Sequence, residues 1–200
     1  MSEQYFSKQP QSKSNPNTWT FELRDHLFTF TSDYGVFSKG EVDFGSRTLI
    51  DSFIEPRVDG DILDLGCGYG PIGLSLAKVY PSRKIVLCDI NERALALAEK
   101  NAKQNDIENV EFKISDRLEA FPNRKFAAVA TNPPIRAGKS VVHQMFQDSY
   151  EALVPNGELW VVIQKKQGAP SAQRKLEELF GNADIVVKNK GYFILCAKKE

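Results

Sequence analysis

The chain has 200 residues, 42% of them hydrophobic and 26% charged, with 26 basic and 26 acidic residues and a formal net charge of zero. That is the composition of one soluble domain long enough to bury a sizeable core. It excludes a binder of nucleic acid that works through overall positive charge, so any polyanion must be met by a local patch. No apolar run approaches the ~20 residues that a bilayer span needs. The start, MSEQYFSKQPQSKSNPN, is polar and unlike a signal peptide. Cys67, Cys88 and Cys196 are odd in number, sit in apolar runs and lack metal-ligand spacing. They read as buried thiols in a reducing compartment. The expectation is a cytoplasmic protein with no metal site and no membrane partner.

Residues 1–17 are rich in Ser, Gln, Asn, Pro and Lys and read as a flexible N-terminus. Residues 18–58 read as a hairpin, a loop and a helix. Trp19, Phe21 and Leu23 alternate, then His26, Phe28 and Phe30, around a polar break at Arg24–Asp25. SDYGVFSKGEVDFG is a glycine-punctuated loop, and SRTLIDSFI a short helix before Pro56.

From residue 59 to 200 strands and helices alternate. DILDLG is a strand; PIGLSLAKVY is a helix with Pro71 at its first position. KIVLCDI is a strand, and NERALALAEKNAKQN a helix with Asn91 as N-cap. VEFKIS and FAAVAT are strands, and residues 116–125 between them are too few for a good helix. SVVHQMFQDSYEALV is a helix with Val142, Met145, Phe146 and Leu153 on one face. GELWVVIQ is a strand and SAQRKLEELFG a helix ending on Gly181. ADIVVKN and YFILCAKK are strands joined tightly at Lys190–Gly191. The alternation predicts an α/β fold, a seven-stranded, mostly parallel sheet covered by helices on both faces. The last pair is too close for a crossover helix, so one strand is antiparallel.

DILDLGCGYGPIG places Gly66, Gly68, Gly70 and Gly73 at the first strand-to-helix turn, where glycines permit close approach of a ligand. Read from Gly68, the spacing G-x-G-x-x-G with Asp89 about 20 residues on also matches a dinucleotide fingerprint. Three acids point elsewhere. Asp64 lies in the first strand, Asp89 closes the second and Asp116 the third. At the carboxyl ends of strands they suit an amine, two ribose hydroxyls and an adenine amino group. S-adenosylmethionine has these parts, whereas a pyrophosphate is repelled by such a rim. Each acid also has a plain structural use: Asp64 in holding backbone amides of the turn, Asp116 as a cap.

The fourth strand ends on Asn132-Pro133-Pro134. Proline cannot donate to a ladder, so the strand stops there. The stiff corner offers the Pro133 carbonyl and the Asn132 side-chain oxygen at set spacing. Two fixed acceptors suit the two N–H groups of an exocyclic amine and aim its lone pair at an activated methyl. No strong base is required, which accords with the lack of a catalytic His or Cys.

DLGCGYG, CDIN, ISD and TNPP together resemble the class I S-adenosylmethionine-dependent methyltransferases of the (N/D)PP(Y/F) type, with a Rossmann-like fold and an N-terminal hairpin extension. YGVFSKGEVDFGSRTL narrows the likeness to the family of small-subunit ribosomal RNA guanine-N2 methyltransferases, over nearly all the chain from Trp19. The resemblance implies that Gly66, Gly68, Asp89, Asp116 and Asn132 contact the cofactor or lie beside it. It implies that Asn132, Pro133 and Pro134 hold the target amine, and that Phe37, Ser38, Lys39 and Asp43 close over the pocket. Ile135 departs from the family pattern, which has Phe or Tyr there to stack on the base. Such stacking contributes ~1–3 kcal/mol per base; Ile135 is expected to pack on the base instead, with Phe37 as the candidate ring. Candidate contacts to the RNA backbone are Arg136, Lys139, Lys165 and Lys166, then Lys8 and Lys13. The implied partner is ribosomal RNA or a small-subunit particle. Same-fold methylation of a protein glutamine or small amine, and less so a nicotinamide-dependent oxidation, are the competing readings.

Overall fold

A computed structural model describes residues 8–9, 12–36 and 40–200. The first two strands, β1 (Asn17–Leu23) and β2 (His26–Ser32), form an antiparallel hairpin. Its turn residues Arg24 and Asp25 both have positive φ, 48° and 63°. This mirror-image turn matches the right-handed twist of the strands. The hairpin buries Leu23, Phe28 and Phe30 and leaves Leu27 71% exposed, as period-2 alternation requires. Helix α1 (Phe44–Ser52) follows, capped by the Asp43 carboxylate on the Ser46 N–H.

The main sheet contains β3 (Asp61–Leu65), β4 (Ile85–Asp89), β5 (Val110–Ile114), β6 (Phe126–Thr131), β7 (Leu153–Gln164), β8 (Asp184–Asn189) and β9 (Tyr192–Lys198). Their spatial order is β5-β4-β3-β6-β7-β9-β8. The first five are parallel, and β9 runs against both neighbours. The connections are α2 (Pro71–Val79), α3 (Glu92–Gln104), α4 (Lys139–Ala152) and α5 (Ala169–Phe180). The expected seven strands with one reversed are therefore present. Residues 116–125 form turns rather than a helix, and Arg124 ties them to the sheet through Glu111 and Asp61 at 2.7 and 2.8 Å. Leu153 is not part of the helical face expected for it; it opens β7, which is longer than anticipated.

Helices cover both faces of the sheet, so all six residues of β6 are buried. One core joins the hairpin, α1, α2 and α3 through Phe28, Phe30, Leu49, Ile62 and Leu74. The other joins α4 and α5 through Phe126, Val129, Phe146, Leu176 and Leu195.

The hairpin is fastened by side chains that imitate a strand. Asn101 of α3 accepts from Thr31 N–H (2.8 Å) and donates to Thr31 C=O (2.9 Å). Asn105 does the same for Thr29. The open edge of β2 is thus covered rather than left as a pairing template. Asn101 also donates to the carbonyl of Tyr69 (2.8 Å). The Tyr69 ring is wedged edge-on between Trp19 and Phe30, 5.6 Å from each. The hairpin is in this way tied directly to the glycine turn of the candidate site.

Candidate active site

The carboxyl ends of β3, β4 and β6 converge on a cavity of about 340 Å³. Its floor is the glycine turn after β3. Gly66, Gly68 and Gly70 have φ of 74°, 57° and 98°, conformations that other L-residues rarely adopt. The N–H groups of Gly66 and Cys67 both reach the Cys88 carbonyl at 2.9 Å, which folds the turn against β4. A methyl group added at Gly66 or Gly68 meets no atom within 4 Å, so the backbone there faces open space that a ligand can fill. At Gly73 the same addition lies 2.6 Å from Leu87 and 2.9 Å from Asp64, so this glycine serves close helix–strand packing.

Asp89 lines the cavity. Its Oδ2 accepts from Gly68 N–H and its Oδ1 from Asn91 N–H, both at 2.8 Å. Burial pushes its carboxyl up, against the pull of those N–H groups. Each oxygen retains a further lone pair for a hydroxyl. Asp116 stands on the rim, with its side chain 49% exposed and 3.8 Å from Arg117. Asp64 is placed differently from the amine-binding expectation. It is fully buried and is not a lining residue; its Oδ2 accepts from Gly73 N–H at 2.7 Å. The Gly73 amide in the first turn of α2 takes one oxygen of the carboxylate that the sequence offers to a ligand, and the other, Oδ1, is buried with no hydrogen-bond partner among the described residues. Burial, reinforced by the Asp89 charge, pushes its carboxyl up to about 7.

Asn132, Pro133 and Pro134 line the same cavity, opposite the glycine turn. Thr131 fastens the end of β6 to β3 by donating to the Leu65 carbonyl at 2.8 Å. The Asn132 Nδ2 donates to Asp43 Oδ2 (3.2 Å) and Ser46 Oγ (3.1 Å). A carboxylate only accepts, which settles the amide orientation. Oδ1 remains as the free acceptor of this side chain among the described residues. Ser46 is the functional neighbour that sequence reasoning misses: it lies 86 residues from Asn132, and only the α1 cap brings it there.

After the diproline corner the chain divides: Ala137, Val141 and Met145 still line the cavity, whereas Ile135, Arg136 and Lys139 do not. Ile135 and Lys139 line a second space of about 180 Å³ between α4 and α5, with His143, Ile163 and Gly168. The short 3₁₀ turn at Ile135–Ala137 rotates Ile135 toward Val142 and Ile163, so it is not on the face expected to meet a base. Arg136 is exposed on that turn and lines neither space; Lys139 is the exposed first residue of α4. The expected contacts from Phe37 and Lys39 fall outside the described residues.

The charge around the cavity is acidic. Asp43, Asp89 and Asp116 line it. Among the described residues its one lining cation, Arg117, is already engaged by Asp148 (3.0 Å) and Glu119 (3.2 Å). An adenosyl sulfonium, cationic at both sulfur and amine, fits this rim and the bare glycines. A pyrophosphate does not. Among the described residues no group of three or more His, Cys, Asp or Glu gathers to hold a metal ion.

A parallel sheet with a glycine turn after β3, an acid closing β4 and Asn-Pro-Pro closing β6 is the class I methyltransferase fold. Residues 27–196 match the family model of the methyltransferase small domain, and the chain belongs to that family. It is 60% identical over 200 residues to the uncharacterized protein YbxB of Bacillus subtilis, each over its full length. It is 33% identical to the ribosomal RNA large subunit methyltransferase G of Psychromonas ingrahamii, over 96% of this chain and 51% of that protein. The structure of the T. thermophilus 16S rRNA N2 methyltransferase RsmC, in complex with AdoMet and guanosine, superposes with a TM-score of 0.83 at 26% identity. That match covers 94% of this chain and 52% of RsmC. The chain thus spans about half the length of these two methyltransferases.

Proposed function

We propose that the protein transfers a methyl group from S-adenosylmethionine to an exocyclic base amine of ribosomal RNA, guanine N2 of the small subunit in the first instance. The observation that carries the proposal is the pair of hydrogen bonds from Asn132 Nδ2 to Asp43 and Ser46, which leaves Oδ1 as a fixed acceptor beside two prolines. When bound, S-adenosylmethionine supplies an electrophilic methyl carbon.

Gly66 and Gly68 admit the cofactor close to the backbone, Asp89 accepts from its ribose, and Asp116 meets the base at the rim. Asn132 Oδ1 and the Pro133 carbonyl each accept one N–H of the target amine. With both N–H groups held, the nitrogen lone pair leaves conjugation with the ring and points along the line of attack. This nitrogen would take the methyl, the sulfur keeping the electron pair of the broken S–C bond, and once methylated it would release one of its held protons to solvent past these acceptors. Alignment of this kind can supply ~7–11 kcal/mol of the barrier reduction. A base within a duplex cannot reach the corner, so the target nucleotide is unpaired or flipped, at a cost of a few kcal/mol.

The likeness to a named 16S enzyme supports the small subunit. The relative at 33% identity is named for the large subunit, and it supports large-subunit RNA as the second reading. Methyl transfer from labelled cofactor into total RNA, compared with total protein, tests the substrate class. Label in RNA is expected; label confined to protein would replace the base amine by a side-chain amide.

A further inference from the structure

We propose that the RNA backbone lies across the tip of the β8–β9 hairpin, held by Lys165, Lys166, Lys188 and Lys190, with Phe44 and Tyr192 as an aromatic platform leading to the methylation corner. This rests on the RNA reading of the function above and identifies where on this chain the polyanion is met.

The hairpin turns at Lys190 and Gly191, with φ of 45° and 81°. The Lys165 N–H donates to the Gly191 carbonyl at 2.8 Å, which joins the end of β7 to the hairpin tip. Lys165 and Lys166 therefore follow β7 beside the tip at Lys190–Gly191, while Lys188 lies two residues back on β8, opposite Phe193 of β9; all four are exposed. In a chain of zero net charge this is a local excess of positive charge. Among the described residues, none of the four forms an ion pair, and neither does Arg47.

Rings are interleaved with these cations. Lys190 Nζ lies 4.9 Å from the Phe44 ring centre and Lys188 Nζ 5.0 Å from that of Phe193. The Arg47 guanidinium rests 5.4 Å from the rings of both Phe21 and Phe44. Phe44 and Tyr192 are half-buried, with ring centres 5.6 Å apart. Cations over partly exposed rings hold single-stranded nucleic acid through charge and base stacking together. The position also fits. Phe44 directly follows Asp43, whose carboxylate holds Asn132. A strand lying on the lysines and stacking on Phe44 delivers its next bases to the corner. Sequence reasoning singles out Lys165 and Lys166 but not Lys188 or Lys190, because only the pairing of β9 with both β7 and β8 brings these segments to one end of the sheet.

The test uses the full chain, and small-subunit particles and ribosomal RNA from cells that lack the gene. Two double variants, K165Q/K166Q and K188Q/K190Q, are compared with K100Q/K103Q, an equal charge change on exposed α3 positions. Cofactor affinity is measured for each, with RNA affinity and methyl-transfer KM and kcat across a salt series. The proposal expects both patch variants to raise KM about tenfold, with kcat and cofactor affinity little changed. It expects the slope of log affinity against log salt to flatten by ~0.7–0.9 for each phosphate that is no longer neutralised. If the wild type methylates RNA and the patch variants match K100Q/K103Q, this surface is overturned and the function stands. If the wild type neither binds nor methylates RNA, the function and the surface fall together.

Discussion

Asn132 has both amide hydrogens committed before any substrate arrives, and this commitment makes its oxygen a fixed acceptor. Ser46 is then a positioning residue. Ser46→Ala removes one hydrogen bond, worth about 0.5–1.5 kcal/mol. Turnover should fall several-fold to tenfold, cofactor affinity should not change, and Ser46→Thr should recover much of the loss; steady-state kinetics with cofactor titration check this. Asp64 gives a stability signature. Its carboxyl ionises near pH 4 in the unfolded chain and is held up to about 7 in the folded one, mainly by burial. Between those values the folded state binds the extra proton. Its contribution to stability therefore declines as pH rises from about 4 to about 7, and is level above that. The full effect is on the order of 4 kcal/mol at most. Asp64→Asn should flatten this slope, so unfolding midpoints of wild type and variant at pH 5 and pH 8 should diverge; parallel curves would contradict the buried acid.

Among the elements, the hairpin and α3 act as one support for the glycine turn. Asn101 is fully buried and bonds Thr31 twice and Tyr69 once. Asn101→Ala strands those backbone groups and should cost about 2–4 kcal/mol, seen in denaturant unfolding, with weakened cofactor binding as the turn loosens. This support is not legible in the sequence, because two asparagines on a helix surface carry no mark of the strand edge they will cover. Much else is legible because it is local. Pro71 opens α2, Asn91 caps α3, Gly181 ends α5 and Lys190–Gly191 turns the last hairpin. Strand alternation also places the glycine turn and Asn-Pro-Pro at the same, carboxyl edge of a parallel sheet; that they meet there is due to the pairing of β3 with β6. The path beyond the corner does not follow. A short 3₁₀ turn decides where Ile135 points, and the motif alone does not encode that turn. Asp64 and Asp89 show a related limit: their places on neighbouring strands mark both as site carboxylates, but folding leaves only Asp89 lining the cavity and buries Asp64 behind Gly73.

Across the whole molecule, opposite charges are sorted to neighbouring places along the carboxyl edge of the sheet. The acidic cavity receives a cationic cofactor between β3, β4 and β6. Lys165 and Lys166 after β7, and Lys188 and Lys190 at the end of β8, lie along the same edge from the next strand to the far side of the sheet, where the proposed RNA path runs. In the proposed reading a neutral chain binds a cation and a polyanion side by side, with the diproline corner between them. The most direct test of that arrangement is nucleoside mass spectrometry. Ribosomal RNA from cells lacking the gene is incubated with the purified protein and isotopically labelled S-adenosylmethionine, then digested to nucleosides. Labelled N2-methylguanosine with the wild type, and its absence with an Asn132→Ala protein that still binds cofactor, is the predicted result. Label on a ring carbon or ribose oxygen, or undiminished methylation by the Asn132→Ala protein, would contradict it.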